Sequence, residues 1–151
     1  LELSPDAFYS DTTWLHLVRS SIHLQRGDSA RGREEAEKVI RRLTARPDEE
    51  DDADLHSRLG LAHAALGHAD EAVRNAERSV ALLPIAKDAL VGTLMVYRLA
   101  CVQARVGRTA DALATLRTLL TLPYYVSPAW LRLDPNFARL RADPELTRLG
   151  S

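Results

Sequence analysis

The sequence has one cysteine, few aromatic residues and almost no net charge, and each shortage excludes a class of protein. Cys101 is the only cysteine, so no disulfide can form within the chain, and we expect a reducing compartment such as the cytoplasm. With 20 basic against 21 acidic residues, the chain lacks the bulk positive charge of a typical nucleic-acid-binding domain. Aromatic residues make up only 5% of the chain, which favours packed helices over β-sheets.

Long apolar runs and catalytic motifs are missing as well. No apolar stretch approaches the roughly 20 residues that cross a bilayer, so we expect no membrane span. The chain has no glycine-rich phosphate loop, no Cys-x-x-Cys and no His-Glu-x-x-His, so we predict neither an enzyme nor a bound cofactor or metal. Its 151 residues suffice for one domain with its own core, which we place at 1–151. Because the chain begins at Leu1 rather than Met, we interpret it as part of a longer or processed protein.

What the sequence does contain is a repeat. Gly27, Gly67 and Gly107 are spaced 40 residues apart, and each separates two segments with helical apolar periodicity. A glycine at such a place ends a helix in the left-handed conformation that other residues resist. A small residue, suited to close contact between helices, follows five positions after each glycine: Gly32, Ala72 and Ala112. The pattern predicts six helices, near 12–26, 29–45, 53–66, 69–83, 88–106 and 109–122.

The second repeat has the clearest pattern. It contains Leu59-Gly60, the turn glycine Gly67, the small residue Ala72 and a closing Pro84. These spacings resemble the tetratricopeptide repeat. The resemblance implies an all-α, tetratricopeptide-like solenoid of three antiparallel helix pairs that ends in short capping helices. The repeats are expected at about 12–46, 53–86 and 88–123, and the C-terminal cap at 124–150.

The C-terminal region is punctuated by proline. Asp134-Pro135 and Asp143-Pro144 each combine a capping aspartate with a proline suited to the first helical turn. They predict two short helices, at 135–141 and 144–149. The aromatic, proline-interrupted segment 124–130 predicts no simple helix. This ending resembles that of tetratricopeptide segments in large bacterial signalling proteins with kinase, winged-helix or cyclase domains. The resemblance implies that the chain is the C-terminal scaffold or sensor part of such a protein.

In repeats of this kind, the first helix of each pair lines a concave face that binds proteins or peptides. Matching positions give the candidate binding residues: Leu17, Ser21, Arg58, Leu61, Leu94, Tyr97, Arg98 and Arg105. The three arginines would form a basic strip beside apolar side chains, which suits an acidic, partly apolar peptide. Two alternatives stay open: the arginines pair with the protein's own acids, or residues 124–130 fill the groove.

The expected function is therefore non-catalytic binding of a protein or peptide. Stacked helices with an open end are also able to associate with a second copy, so a homodimerisation module is the alternative.

The histidines occupy repeated positions. His16 and His56 are equivalent in register, as are His23 and His63. Within each repeat the two histidines are seven residues apart, which separates them by about 10 Å along a helix and is too far for one zinc ion. We interpret them as packing residues between helices.

Three local features allow two interpretations each. Cys101 lies beside basic residues, which would lower its thiol pKa, or it is a small buried side chain. Gly92 inside the fifth predicted helix is either a close-packing site or a kink. The acidic run 48–52 is either a site for a cation or basic peptide, or the acidic start of a helix with Asp52 as its cap.

Overall fold

The computed structural model describes residues 12–45, 51–124 and 126–149, and this part of the chain is helical without a strand. The predicted all-α class is thus confirmed. Six helices form the main body: α1 (Thr12–Gln25), α2 (Ser29–Thr44), α3 (Ala53–Leu66), α4 (Ala69–Leu82), α5 (Val91–Arg105) and α6 (Thr109–Leu120). Three short helices follow: α7 (Pro128–Leu133), a 3₁₀ helix (Pro135–Leu140) and α8 (Pro144–Arg148). Tyr125, the predicted end of the first repeat at 46 and residues 48–50 of the acidic run lie outside the described residues.

The three repeated glycines form the turns within the helix pairs. Gly27, Gly67 and Gly107 have φ angles of 79°, 80° and 82°, as the left-handed prediction requires. Each turn is only two or three residues long, so the two helices of a pair run in opposite directions. The periodicity thus predicted the helix pairs correctly.

The helices pack in chain order. Each helix from α1 to α6 contacts the next, and the first helices of the pairs, α1, α3 and α5, also contact one another. The apolar core accordingly forms three adjoining clusters, around α1–α3, around α3–α5, and around α5, α6 and the C-terminal helices. Leu61 of α3 packs against all three clusters. Among the described residues, no helix combines the length and the apolar character that crossing a bilayer requires.

Two glycines allow backbones to approach closely. A Cβ added at Gly60 would lie 3.0 Å from the carbonyl oxygen of Ala72, at the contact between α3 and α4. A Cβ added at Gly92 would lie 2.9 Å from the Cα of Ile85. The distance at Gly60 is tighter than most real Cβ contacts, and the distance at Gly92 is shorter than real Cβ atoms show, so the structure supports the close-packing interpretation of Gly92.

Two predicted helix boundaries were wrong. Helix α5 begins at Val91 rather than at 88, and just before it the Asp88 side chain accepts hydrogen bonds from the backbone N–H groups of Leu90 and Val91. The segment predicted to be non-helical contains the start of α7, where Ser127 caps the helix and Pro128 occupies its first turn. Ser127-Pro128 is the same kind of signal as Asp134-Pro135, but the surrounding aromatic residues obscured it.

The C-terminal helices cover the end of the core as predicted. Phe137, Leu140 and Leu146 are at most 6% exposed and pack with residues of α5 and α6. The caps are those expected, since Asp134 and Asp143 accept hydrogen bonds from backbone N–H groups in the following turns. Asp52 caps α3 in the same way, so the helix-start interpretation of the acidic run holds for its described end.

Candidate binding groove

An open recess of about 210 Å³ lies where α1, α3 and α5 meet, and we call it the central recess. Six of the eight candidate residues line it: Leu17, Ser21, Leu61, Tyr97, Arg98 and Arg105. Its other lining residues are Trp14, Val18, Cys101 and Asn136. Leu94 is half-buried on α5 and Arg58 half-buried on α3, and neither lines the recess.

Helical spacing brings these side chains together. The lining residues of α1, from Trp14 to Ser21, and those of α5, from Tyr97 to Arg105, recur at steps of one, three or four residues. Such steps place side chains on one face of a helix. Because α1 and α5 both contact α3, the two faces meet over Leu61.

Near the N-terminal ends of α1 and α3 and the middle of α5, one carboxylate pairs with two arginines. Arg98 Nη1 donates to Asp54 Oδ1 at 2.7 Å, and Arg58 Nη2 donates to the other carboxylate oxygen. Both guanidinium groups also lie over the Trp14 ring, 4.3 Å (Arg98) and 5.1 Å (Arg58) from its centroid. We call these four residues the Asp54 cluster. For Arg58 and Arg98, the structure therefore shows the alternative in which they pair with the protein's own acid.

The C-terminal region borders the central recess through its 3₁₀ helix. Among the described residues of 124–130, none lines the recess, whereas Asn136 of the 3₁₀ helix does. The 3₁₀ helix is held there by Tyr97, whose hydroxyl donates to Asp134 and whose ring meets Phe137 edge-on. Burial, with the neighbouring Cys101 and the bond to Asp134, raises the pKa of Tyr97. Tyr97 is thus a neutral hydrogen-bond donor.

At the C-terminal end of α5, the described hydrogen-bond acceptors of Arg105 are all neutral. Its Nη2 donates to Asn136 Oδ1 at 2.6 Å and to Ser21 Oγ at 3.2 Å. Its Nε donates to the same Asn136 oxygen at 3.1 Å. No described carboxylate forms an ion pair with Arg105. Arg105 thus differs from Arg58 and Arg98, whose charges are paired with Asp54.

Two overlapping depressions, of about 370 and 300 Å³, adjoin the central recess at the C-terminal ends of α1, α3 and α5. Arg105 and Arg139 line both, and Arg33 of α2 lines the second. The remaining described lining residues are apolar or uncharged, and include Ser21, which is shared with the central recess. We call this region the basic pocket.

The two other arginines of the basic pocket donate to backbone carbonyls. Arg33 Nη1 donates to the carbonyl of Leu66 at 2.8 Å, and Arg139 Nη1 donates to the carbonyl of Arg105 at 2.9 Å. These carbonyls belong to the last residues of α3 and α5. In this pocket too, the described arginines have neutral partners only.

Sequence reasoning missed Arg33, Asn136 and Arg139. Arg33 lies on a second helix, outside the positions considered for the concave face. Asn136 and Arg139 are three residues apart, which is the spacing of one face of a 3₁₀ helix. That spacing was visible in the sequence, but nothing local indicated that this face turns towards α5.

Cys101 is buried in the wall of the central recess, with 2% of its surface exposed. Burial raises the pKa of its thiol to about 12, and the nearby Arg105 and Arg98 counteract this only in part. Of the two interpretations of Cys101, the structure supports the small buried side chain, because loss of hydration outweighs the attraction of the arginines.

The repeated histidines contact the second helix of their own pair. His16 Nδ1 donates to Glu35 Oε2 at 2.5 Å, and the equivalent His56 Nδ1 lies 2.9 Å from Asn75 Oδ1. No group of three or more metal-binding side chains occurs in the described ranges. These contacts support the interpretation of His16 and His56 as packing residues.

No family model, curated protein or solved structure matches this chain. The tetratricopeptide resemblance therefore stays a prediction.

Proposed function

We propose that this chain is a non-catalytic module that binds a protein or peptide in the groove formed by the central recess and the basic pocket. The observation that carries the proposal is the continuity of the two surfaces. Ser21 and Arg105 line both, so an apolar surface around Leu17 and Leu61 passes directly into a basic one. An extended peptide offers alternating side chains to such a surface.

The arrangement of the helices supports the same proposal. The first helices of the three pairs contact one another and present one shared face, as in a tetratricopeptide-type solenoid. We therefore include that fold type in the proposal, together with a role as the C-terminal scaffold or sensor of a larger bacterial signalling protein in the cytoplasm. Determining the gene sequence upstream of Leu1 tests the last part, since a kinase, winged-helix or cyclase domain is expected there.

The experiment is a selection of random displayed peptides on the immobilised protein. The variant Ala65→Leu places a larger side chain in the basic pocket, which Ala65 lines. The matched control Ala81→Leu makes the same change at an exposed position of α4. We expect selected peptides to bind Ala65→Leu at least about tenfold more weakly than the wild type and to bind Ala81→Leu unchanged. Recovery of no peptide, or equal binding to both variants, would contradict the proposal.

Self-association is the second candidate, and exposed apolar residues of α7 favour it. Trp130 is 44% and Leu133 78% exposed, and their three-residue spacing places them on one face of the helix. Light scattering over a range of protein concentrations tests it. A dimer that Leu133→Ser weakens is expected, and a monomer at every concentration would exclude this candidate.

A further inference from the structure

The basic pocket brings together three guanidinium groups from distant parts of the chain, namely Arg33 of α2, Arg105 of α5 and Arg139 of the 3₁₀ helix. None of the described residues that line the pocket is an aspartate or a glutamate. In the Asp54 cluster of this chain, by contrast, two converging arginines share a carboxylate. Three arginines with no described carboxylate among the lining residues give the basic pocket a net positive charge.

The present partners of these arginines do not neutralise them. Arg33 and Arg139 bond to carbonyls near the C-terminal ends of α3 and α5, and Arg105 bonds to an amide and a hydroxyl oxygen. A helix C-terminus carries only about half of a negative charge. Each guanidinium has five N–H donors, and these contacts engage only some of them. The pocket thus retains both charge and donors for a ligand.

A carboxylate is the group that fits this surface. The planar fork of a guanidinium donates two parallel hydrogen bonds to a carboxylate, and charge makes these bonds stronger than neutral ones. The adjoining central recess offers Leu17 and Leu61 to an apolar neighbour of that carboxylate. We propose that the basic pocket binds a carboxylate of an acidic peptide, while a nearby apolar side chain of the same peptide enters the central recess. This inference rests on the proposed function and names the chemistry of the partner.

The proposed acidic-peptide site lies elsewhere in the groove than the site predicted from the sequence. The register of the repeats pointed to Arg58 and Arg98, but Asp54 already occupies both. A ligand carboxylate there would have to displace Asp54 and leave it unpaired. At Arg105 and Arg139 no such displacement is needed.

The test begins with the peptide selection on the wild-type protein and continues with one recovered peptide. That peptide is synthesised in two forms, with its acidic residues intact and with each replaced by the corresponding amide. Both forms are titrated against wild type, Arg105→Gln, Arg139→Gln and the control Arg74→Gln, which changes an exposed arginine of α4. Arg139→Gln serves as the second variant because Arg139 is exposed and lies outside the core.

We expect the recovered peptides to be rich in aspartate or glutamate. The acidic form should bind Arg105→Gln and Arg139→Gln about tenfold more weakly than wild type, and Arg74→Gln as wild type does. The amide form should bind wild type and Arg105→Gln alike, because the interaction between the two charges is already absent. Addition of salt should weaken the binding of the acidic form most.

The outcomes separate the two proposals. Peptides without acidic residues, or equal affinity of the acidic form for wild type and both pocket variants, overturn the carboxylate site and leave groove binding intact. Failure to recover any peptide overturns both. Circular dichroism of each variant confirms that a weaker affinity does not come from unfolding.

Discussion

The middle and the C-terminal end of α5 each carry a groove arginine, but only the arginine in the middle pairs with an acid. Arg98, the eighth of the 15 residues of α5, shares Asp54 with Arg58 and lies on the Trp14 ring. At the C-terminal end, the described partners of Arg105 are uncharged oxygens. The same residue type on one face of a helix thus has two roles: one arginine belongs to the folded framework, and the other is available to a partner. Their spacing of seven residues puts both on that face and does not distinguish them, whereas the counterion does.

The largest effect is expected when the shared acid is removed. Asp54→Asn leaves two arginines, each with a side chain only about 15% exposed, without their carboxylate. Loss of one partner from a buried pair costs about 3–5 kcal/mol, but the Asp54 side chain is 35% exposed, so we expect roughly 1–3 kcal/mol. Urea unfolding measures this difference.

The control for this prediction is Asp51→Asn. Asp51 pairs with Arg78 at 2.9 Å, but its side chain is 86% exposed, so a change within about 0.5 kcal/mol is expected. Equal stability of Asp54→Asn and Asp51→Asn would mean that the Asp54 cluster does not stabilise the fold. The contrast between Arg98 and Arg105 would then disappear.

A second group of side chains that pair with one another lies between α1 and α2, outside the groove. Burial acts to raise the pKa of Glu35, but hydrogen bonds from His16 and Lys38 outweigh it and hold the pKa below its ordinary value of 4.5. The stabilisation from Glu35 is therefore complete above pH 4.5 and is lost as the pH falls through the folded-state pKa. The equivalent pair in the second repeat, His56 with Asn75, contains no carboxylate.

Glu35→Gln is expected to lower the free energy of unfolding by roughly 1–2 kcal/mol at pH 7. The difference from wild type should shrink steadily below pH 4.5, and urea unfolding at a series of pH values measures it. Glu37→Gln is the matched control, since Glu37 is exposed on the same helix. A constant difference between Glu35→Gln and wild type down to pH 2 would show that the carboxylate charge is not what stabilises this contact.

Local signals predicted most of the fold. The repeated glycines gave the turns, and the Asp-Pro pairs gave the C-terminal helices, because both act through backbone conformation within a few residues. The ion pair between Asp54 and Arg58 was also predictable from the sequence, since the two residues are four positions apart on one helix, a recognised ion-pair spacing.

The rest of the groove depends on contacts between distant residues. Asp54 bonds to Arg98, 44 residues later, and Asn136 reaches Arg105 from 31 residues away. Such contacts follow from how whole helices pack, and no short pattern encodes them. This is why the sequence located Arg58, Arg98 and Arg105, but neither the contact of Asp54 with Arg98 nor the two further arginines of the basic pocket.

The smallest effect, and the sharpest comparison, comes from one substitution made at the middle and at the C-terminal end of α5. Arg98→Gln removes an ion pair and a contact with Trp14, so we expect a loss of about 1–2 kcal/mol. Arg105→Gln removes hydrogen bonds to neutral, half-buried groups, and a loss of about 0.5–1 kcal/mol is expected. Chemical unfolding of the two variants in parallel measures the difference. If Arg105→Gln is the less stable protein, Arg105 is a structural residue and the basic pocket is part of the framework. If it is the more stable one, the chain keeps a charged side chain at a place where folding gains little from it, which is what a binding site for a charged partner requires.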